Sequence, residues 1–428
     1  MFQIKLGVRS FLYRKSQYRS LFLVCMFGVA ISLTAIFVSN GMINTMNEKA
    51  KIYYGGNFAF MQNVYDEGLE IHDYKDYFEK VKSVFPKDAD VSYRLDFDGR
   101  NSSFYFEGTK ALQQTIKGCN FELEKNLFSN MSFVSGGFEN MNGTNGILIS
   151  EPIANMLNIK VGDTMTFMLK TVNDEKNTVD VEIKGIFQDS SVFGMYTSYM
   201  DFDFLKQCYG RDENFANRIV INFPGKYLTR EQSEFYQKKL EKLFVMYPLV
   251  DNKDDFLDNA DDLGHDSCAL IPLSANLNEV KIMEQAMNVV ISFIVVMLTV
   301  IIIAGIGSTY RVLIIKRLNE IGIYMALGMK KFDIAFTLLF ESFVLLLAGC
   351  IAALAVSALF CFVISLFNFS FIPAFDLFLV KGNLLPVVDV IKSVAVIAGV
   401  ILTTLIAVLY STWKSIRLLP ANALAVAE

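Results

Sequence analysis

The chain has 428 residues, of which 53% are hydrophobic and 19% charged, a balance too apolar for an ordinary soluble enzyme and too polar for a bundle of membrane helices alone. The net charge of −5 conceals an asymmetry: residues 44–283 carry 37 acids against 25 bases, a net of −12, and the remainder carries 7 acids against 14 bases, a net of +7. Such a distribution excludes nucleic acid as a partner and calls for basic membrane-flanking segments around one large acidic domain.

Residues 1–20 hold Lys5, Arg9, Arg14, Lys15 and Arg19 with no acid. Ile4, Val8 and Phe11 recur at helical spacing there, which predicts an amphipathic helix on the cytoplasmic leaflet. The apolar run that follows is long enough to cross a bilayer, and no small-x-small cleavage site comes after it, so residues 21–43 read as a retained first span. The acidic stretch 44–283 begins with a strand at 57–62, a helix at 72–84 and a strand at 91–97, and nears its end with a strand at 218–223 and a helix at 229–244. Two such strand–helix units, 44–100 and 211–283, predict one α+β subdomain interrupted by an insertion at 101–210. The insertion reads as all-β: alternate residues of 165–170 and 179–184 are apolar around the polar Asn173–Asn177, as in a hairpin. Residues 284–310 are the second span.

A short basic loop follows at 311–333, with Arg311, Lys316, Arg317, Lys330 and Lys331 against Glu320 and Asp333. This bias places it on the cytoplasmic side. Within it Ile321, Tyr324, Met325 and Gly328 recur at helical spacing, so a short helix is expected along the membrane surface. The third span covers 334–366, an outer connector 367–385, the fourth span 386–411 and a basic cytoplasmic tail 412–428, which puts both termini inside and the large domain outside. The fold class is therefore an α-helical membrane protein with four transmembrane helices and a large α+β extracytoplasmic domain.

Arg317, Glu320-Ile321-Gly322 and Ala326-Leu327-Gly328 resemble the R-x-x-E-I-G-x-x-x-A-L-G signature of the FtsX/LolC/LolE/MacB-like permeases, the membrane subunits of type VII ABC systems. The middle of the chain adds to the likeness: Ile147–Asp163, Val181–Phe187 and Met200–Lys206 look like the extracytoplasmic domain of LolC/LolE and MacB, whose α+β part is porter-like, and Pro420–Leu424 resembles the family's terminal P-x-x-A-L. The resemblance implies that Arg317, Glu320, Ile321, Gly322, Ala326, Leu327 and Gly328 form a coupling helix that docks into a separate ABC ATPase. It further implies a second permease copy or paralogue, a bacterial inner-membrane location, and mechanotransmission: ATP hydrolysis by the partner moves a hydrophobic substrate outside the membrane. Lipoprotein release by a LolC/LolE-like subunit, with a periplasmic carrier, is the favoured form. Efflux of a drug or peptide, or FtsX-type signalling to a cell-wall hydrolase, are the alternatives. Phe37, Met42, Ile43 and Met46 on the first span, with Met283 and Met287 on the second, lie where the resemblance places a cavity for acyl chains. Ordinary helix packing explains the same residues.

The chain has no G-x-x-x-x-G-K-[ST], so ATP and magnesium are expected on the partner and no cofactor on this chain. Its only histidines, His72 and His265, are far apart and lack metal spacing, so neither histidine catalysis nor a metal site is expected. Three of the six cysteines sit in apolar runs and three are scattered through the acidic domain, which makes no disulfide framework. Asp251–Asp266 misses the calcium-loop spacing and reads as a solvated linker. Glu341, near the inner end of the third span, reads as an interfacial residue or as the partner of a loop cation.

Overall fold

The computed structural model describes residues 15–191, 193–225, 228–372 and 375–416. The predicted helix at 1–20 and the terminal tail thus fall wholly or mostly outside the described residues. The chain divides into a sheet unit, Ile43–Glu284 with Asn368–Asn383, and a helical unit that holds the described parts of Met1–Met42, Gln285–Phe367 and Leu384–Glu428. The first helix, α1 (Lys15–Tyr54), contributes to both.

The sheet unit is built on four strands and two helices. Strand β1 (Phe58–Val64) leads to helix α2 (Tyr74–Val84) and strand β2 (Asp90–Asp98). Tyr74, Phe78 and Val81 are buried at i, i+4 and i+7, so α2 lays one apolar stripe on the sheet. An insertion follows, made of β3 (Ser103–Phe106), β4 (Thr109–Leu112), β5 (Thr115–Cys119), β6 (Gly146–Ser150), α3 (Glu151–Leu157), β7 (Thr164–Lys170), β8 (Lys176–Phe187), β9 (Thr197–Asp201) and α4 (Phe202–Tyr209). The first fold then resumes with β10 (Arg218–Asn222), α5 (Arg230–Leu240) and β11 (Ser267–Pro272). β10 pairs antiparallel with both β1 and β2, and β1 pairs antiparallel with β11. The order β11-β1-β10-β2 therefore interleaves two split βαβ units, as in a ferredoxin-like fold.

The insertion does not form a second body. β2 pairs with β5 through Arg94↔Cys119 to Asp98↔Thr115, and the sheet continues β5-β9-β6-β8-β7-β3-β4. The predicted hairpin is present as β7 and β8, with Met165, Phe167 and Leu169 buried on one face. The expectation of an all-β insertion is corrected by α3 and α4. Each has local helix signals: Pro152 at the start of α3 and left-handed Asn158 at its end, and Asp201 accepting from the Phe204 amide at 2.9 Å with left-handed Gly210 closing α4. Strand β11 had no alternation to announce it, because both of its faces are buried. The acid run before it folds into a helix at Lys253–Asn259 and a turn of 3-10 helix at Asp261–Leu263.

A charged knot sits inside this unit. Arg94, fully buried, pairs with Glu124 through Nε and Nη2, and its Nη1 donates to the Ile52 and Tyr53 carbonyls at 2.9 and 3.0 Å, satisfying the last turn of α1. Beside it, Lys117 Nζ lies 3.0 Å and Arg218 Nη2 2.6 Å from the Asp96 carboxylate. Burial alone would raise the Asp96 pKa, but Arg218 and Lys117 outweigh it and hold it down to about 2. Burial pushes Lys117 the other way from a free lysine, down to about 8, with Arg218 and Arg94 adding to the effect. The connector 368–383 packs within the same unit: Lys49 Nζ donates to the Asp376 carbonyl at 2.6 Å and Ser190 to its carboxylate at 2.7 Å.

The helical unit contains the first part of α1, most of α6 (Asn278–Lys316), α7 (Leu318–Ala326), α8 (Lys331–Leu366) and α9 (Val390–Ile416). Among the described residues, four helices are long and apolar enough to cross a membrane, over Tyr18–Tyr54, Glu284–Lys316, Lys331–Leu366 and Val390–Trp413. α1 is the most enclosed: Leu21, Cys25, Val29 and Leu33 follow a strict i, i+4 row and all lie in the core. By contrast α6 and α9 expose large apolar side chains such as Val289, Phe293, Ile301, Ile391 and Leu402, a surface suited to lipid rather than water.

Candidate functional site

The short helix α7 is where the sequence signature becomes geometry. α6 ends at Lys316, and Arg317 takes the cap position of α7 with φ −105° and ψ 7°. At the other end Gly328 adopts φ +86°, its amide donating to the Met325 carbonyl and the Met329 amide to the Tyr324 carbonyl, each at 3.0 Å. This is a Schellman closure, and the left-handed position explains why the Ala-Leu pair is followed by glycine.

Of the four residues at helical spacing, three face inward, and Gly328 is exposed beyond the helix end. Ile321 is buried, Gly322 is buried beside it, and Tyr324 and Met325 pack half-buried on the helical core. The outward face comprises Ile323, Ala326 and Leu327, at i, i+3 and i+4, with Ile323 54% and Leu327 77% exposed. Phe332, 68% exposed, follows at the start of α8.

Arg317 binds the loop to the bundle. Its Nη1 donates to Glu341 Oε2 of α8 at 2.7 Å and to the Tyr18 hydroxyl of α1 at 3.1 Å, and the Tyr18 hydroxyl donates to Glu341 Oε1 at 2.6 Å. Glu320, in the first turn of α7 where a negative charge meets the positive helix end, lies 3.3 Å from Arg317 Nε. Tyr18, Glu341 and Arg317 are all nearly or wholly inaccessible. Glu341 is therefore the partner of a loop cation, one of the two roles its position allowed. Tyr18 is absent from the predicted site. A lone tyrosine at the head of an apolar run carried the only signal, and such residues are common at span ends.

The candidate cavity residues divide between the units. Phe37 is buried in the helical core and Met42 and Met287 are half-buried, all in the helical unit. Ile43 is half-buried and Met46 wholly buried in the sheet unit, Met46 packing with Ala50, Leu273 and Leu377. The side chain of Met283 lies outside the described residues. A pocket of about 360 Å³ opens within the helical unit, lined by the sequence neighbours of two of them, Ile36 and Asn288. Its walls are apolar, with Val295, Val296 and Ala395, and its rim is polar, with Asn40 accepting from Lys392 Nζ at 2.7 Å.

Residues 292–420 match the family model described as FtsX-like permease, C-terminal. This part of the chain is an FtsX-like permease domain. The domain holds α7, α8, α9 and most of α6, and so contains the whole Arg317–Gly328 signature together with Glu341. Members of the FtsX-like permease family are generally non-catalytic membrane subunits of ABC transporters that work with ABC ATPase partners. Tyr18 and residues 43–284 of the sheet unit lie outside the matched FtsX-like span, whereas the connector 368–383 lies inside it. No curated protein matches the chain.

Proposed function

We propose that this chain is the permease subunit of an ABC transporter that works by mechanotransmission, and that its cargo is a lipoprotein released from the outer face of the bacterial inner membrane. The observation that carries the reading is α7: a helix whose inner face is tied by Arg317 to α1 and α8, and whose outer face presents Ile323, Ala326 and Leu327. A partner ATPase that binds this apolar face pushes on Arg317, and through Tyr18 and Glu341 the force reaches α1 and α8 directly. α1 and α6 each pass from one unit into the other as one helix, so both are suited to carry the motion to the sheet unit. The shift requires that the ATP-bound partner favour one permease state over the other. The basic loop 311–333 supports an orientation with α7 cytoplasmic and the acidic sheet unit outside.

The size of the outer domain supports a LolC/LolE-like role. The apolar pocket with a polar rim suits an acylated cargo. The test is Leu327→Asp in the complex reconstituted with its co-purifying ATPase. Substrate-stimulated hydrolysis falls about tenfold or more while the melting temperature of the permease stays fixed, because Leu327 is surface-exposed and a buried charge in the interface costs several kcal/mol. Undiminished stimulation removes the coupling role of α7.

A further inference from the structure

Nine residues between β1 and α2 bring together three side chains that the permease reading does not use. Gly68–Leu69 pairs with the end of β1, through Asn63↔Leu69 and Val64↔Gly68, and Ile71–His72 pairs with Phe215–Ala216. Between β1 and Gly68 the chain reverses at Asp66, left-handed with φ 63°. Held on both sides, the segment places Glu67 Oε2 3.4 Å and Glu70 Oε2 3.7 Å from His72 Nε2, and the three ligand atoms lie within 4.8 Å of one another.

We infer that Glu67, Glu70 and His72 form a binding site for a divalent transition-metal ion, zinc by its ligand chemistry, on the sheet unit. The spacing is the first support. Ligand atoms bound tetrahedrally at about 2.0–2.1 Å stand roughly 3.3 Å apart, close to both measured separations. Orientation is the second. Glu70 Oε1 is occupied by Arg211 Nη2 at 2.6 Å, and Arg211 is itself seated 4.5 Å over the Phe215 ring, so a residue outside the trio leaves Oε2 turned toward the imidazole. Charge is the third: two carboxylates and a neutral imidazole carry −2, which a dication neutralises. An imidazole among the ligands selects zinc and its neighbours over calcium or magnesium, which take oxygen. His72 and Glu67 are more than half exposed, so water has access to the fourth corner.

The experiment titrates zinc, and cobalt as a spectroscopic stand-in, into the metal-stripped full-length chain in nanodiscs. One zinc binds per chain, and cobalt gives the intense visible bands of a tetrahedral site. His72→Ala and Glu67→Gln abolish both, and Arg211→Ala weakens binding about 10–100-fold. His265→Ala, which removes the only other histidine, changes nothing. Absence of stoichiometric zinc binding overturns the assignment, as does binding that survives His72→Ala, or that calcium displaces as readily as zinc. Melting temperatures of the metal-free variants equal to that of the metal-free parent assign the loss to the ligands. None of these readouts depends on an ATPase or a cargo, so failure here is distinct from failure of the permease reading.

Discussion

Arg317 and Glu341 meet at 2.7 Å with the Tyr18 hydroxyl completing the triangle, and none of the three has appreciable contact with solvent. Removing one member leaves the others charged or unsatisfied in an apolar bundle, which costs about 3–5 kcal/mol, whereas replacing a buried pair with apolar groups of similar size is often neutral. Arg317→Ala and Glu341→Ala therefore each lower the thermal stability of the reconstituted permease, and the pair Arg317→Met with Glu341→Leu recovers most of the loss. Calorimetry or intrinsic fluorescence in nanodiscs reads this directly. If the double variant is no more stable than either single one, uncompensated charge is not what holds the loop. The double variant also separates stability from coupling, since it restores packing without restoring the polar link through Tyr18.

At the level of elements, close helix approach depends on which glycine faces a neighbour. Gly349 on α8 and Gly399 on α9 belong to equivalent small-residue pairs in the sequence, Gly349 with Ala353 and Ala395 with Gly399. A side chain on Gly349 would put its Cβ 3.0 Å from Cys25 Sγ and 3.2 Å from Cys25 Cβ on α1, but one on Gly399 would meet nothing within 4 Å. Gly349→Val therefore destabilises the monomeric permease by roughly 1–3 kcal/mol through overpacking, and Gly399→Val by less than about 0.5 kcal/mol. Parallel unfolding curves of the two variants check it; equal losses would mean that helix propensity rather than the α1–α8 contact sets the effect. The same logic governs α7, where Ile321 and Gly322 serve packing while Ala326 and Leu327, in the same motif, are left at the surface.

For the whole molecule, the proposal distinguishes cargo transport from signalling by what comes near the ends of α1 and α6. Photocrosslinkers at Met42 and Met287, both half-buried, are expected to trap acylated lipoprotein in cells, with yields that drop when the partner ATPase is locked by a hydrolysis-deficient variant. Capture of a cell-wall hydrolase at the same positions, with no lipid-modified product, would transfer the chain to the signalling class. Mass spectrometry of the adducts makes the distinction.

Local chemistry was enough to announce the four apolar helices, the basic loop with its Arg-x-x-Glu-Ile-Gly and Ala-Leu-Gly pieces, and β1, α2, β2, β10 and α5 on either side of the insertion, because periodicity and charge act over a few residues. The strand order β11-β1-β10-β2, the fusion of the insertion into one sheet through β2 and β5, and the burial of Tyr18 against Arg317 are different in kind. Each joins residues far apart along the chain, and pairing between distant segments is settled by which surfaces exclude water together, a property that no single segment carries. Helices α3 and α4 lie between these cases: their caps were written in the sequence, but the β pattern around them was the stronger local signal.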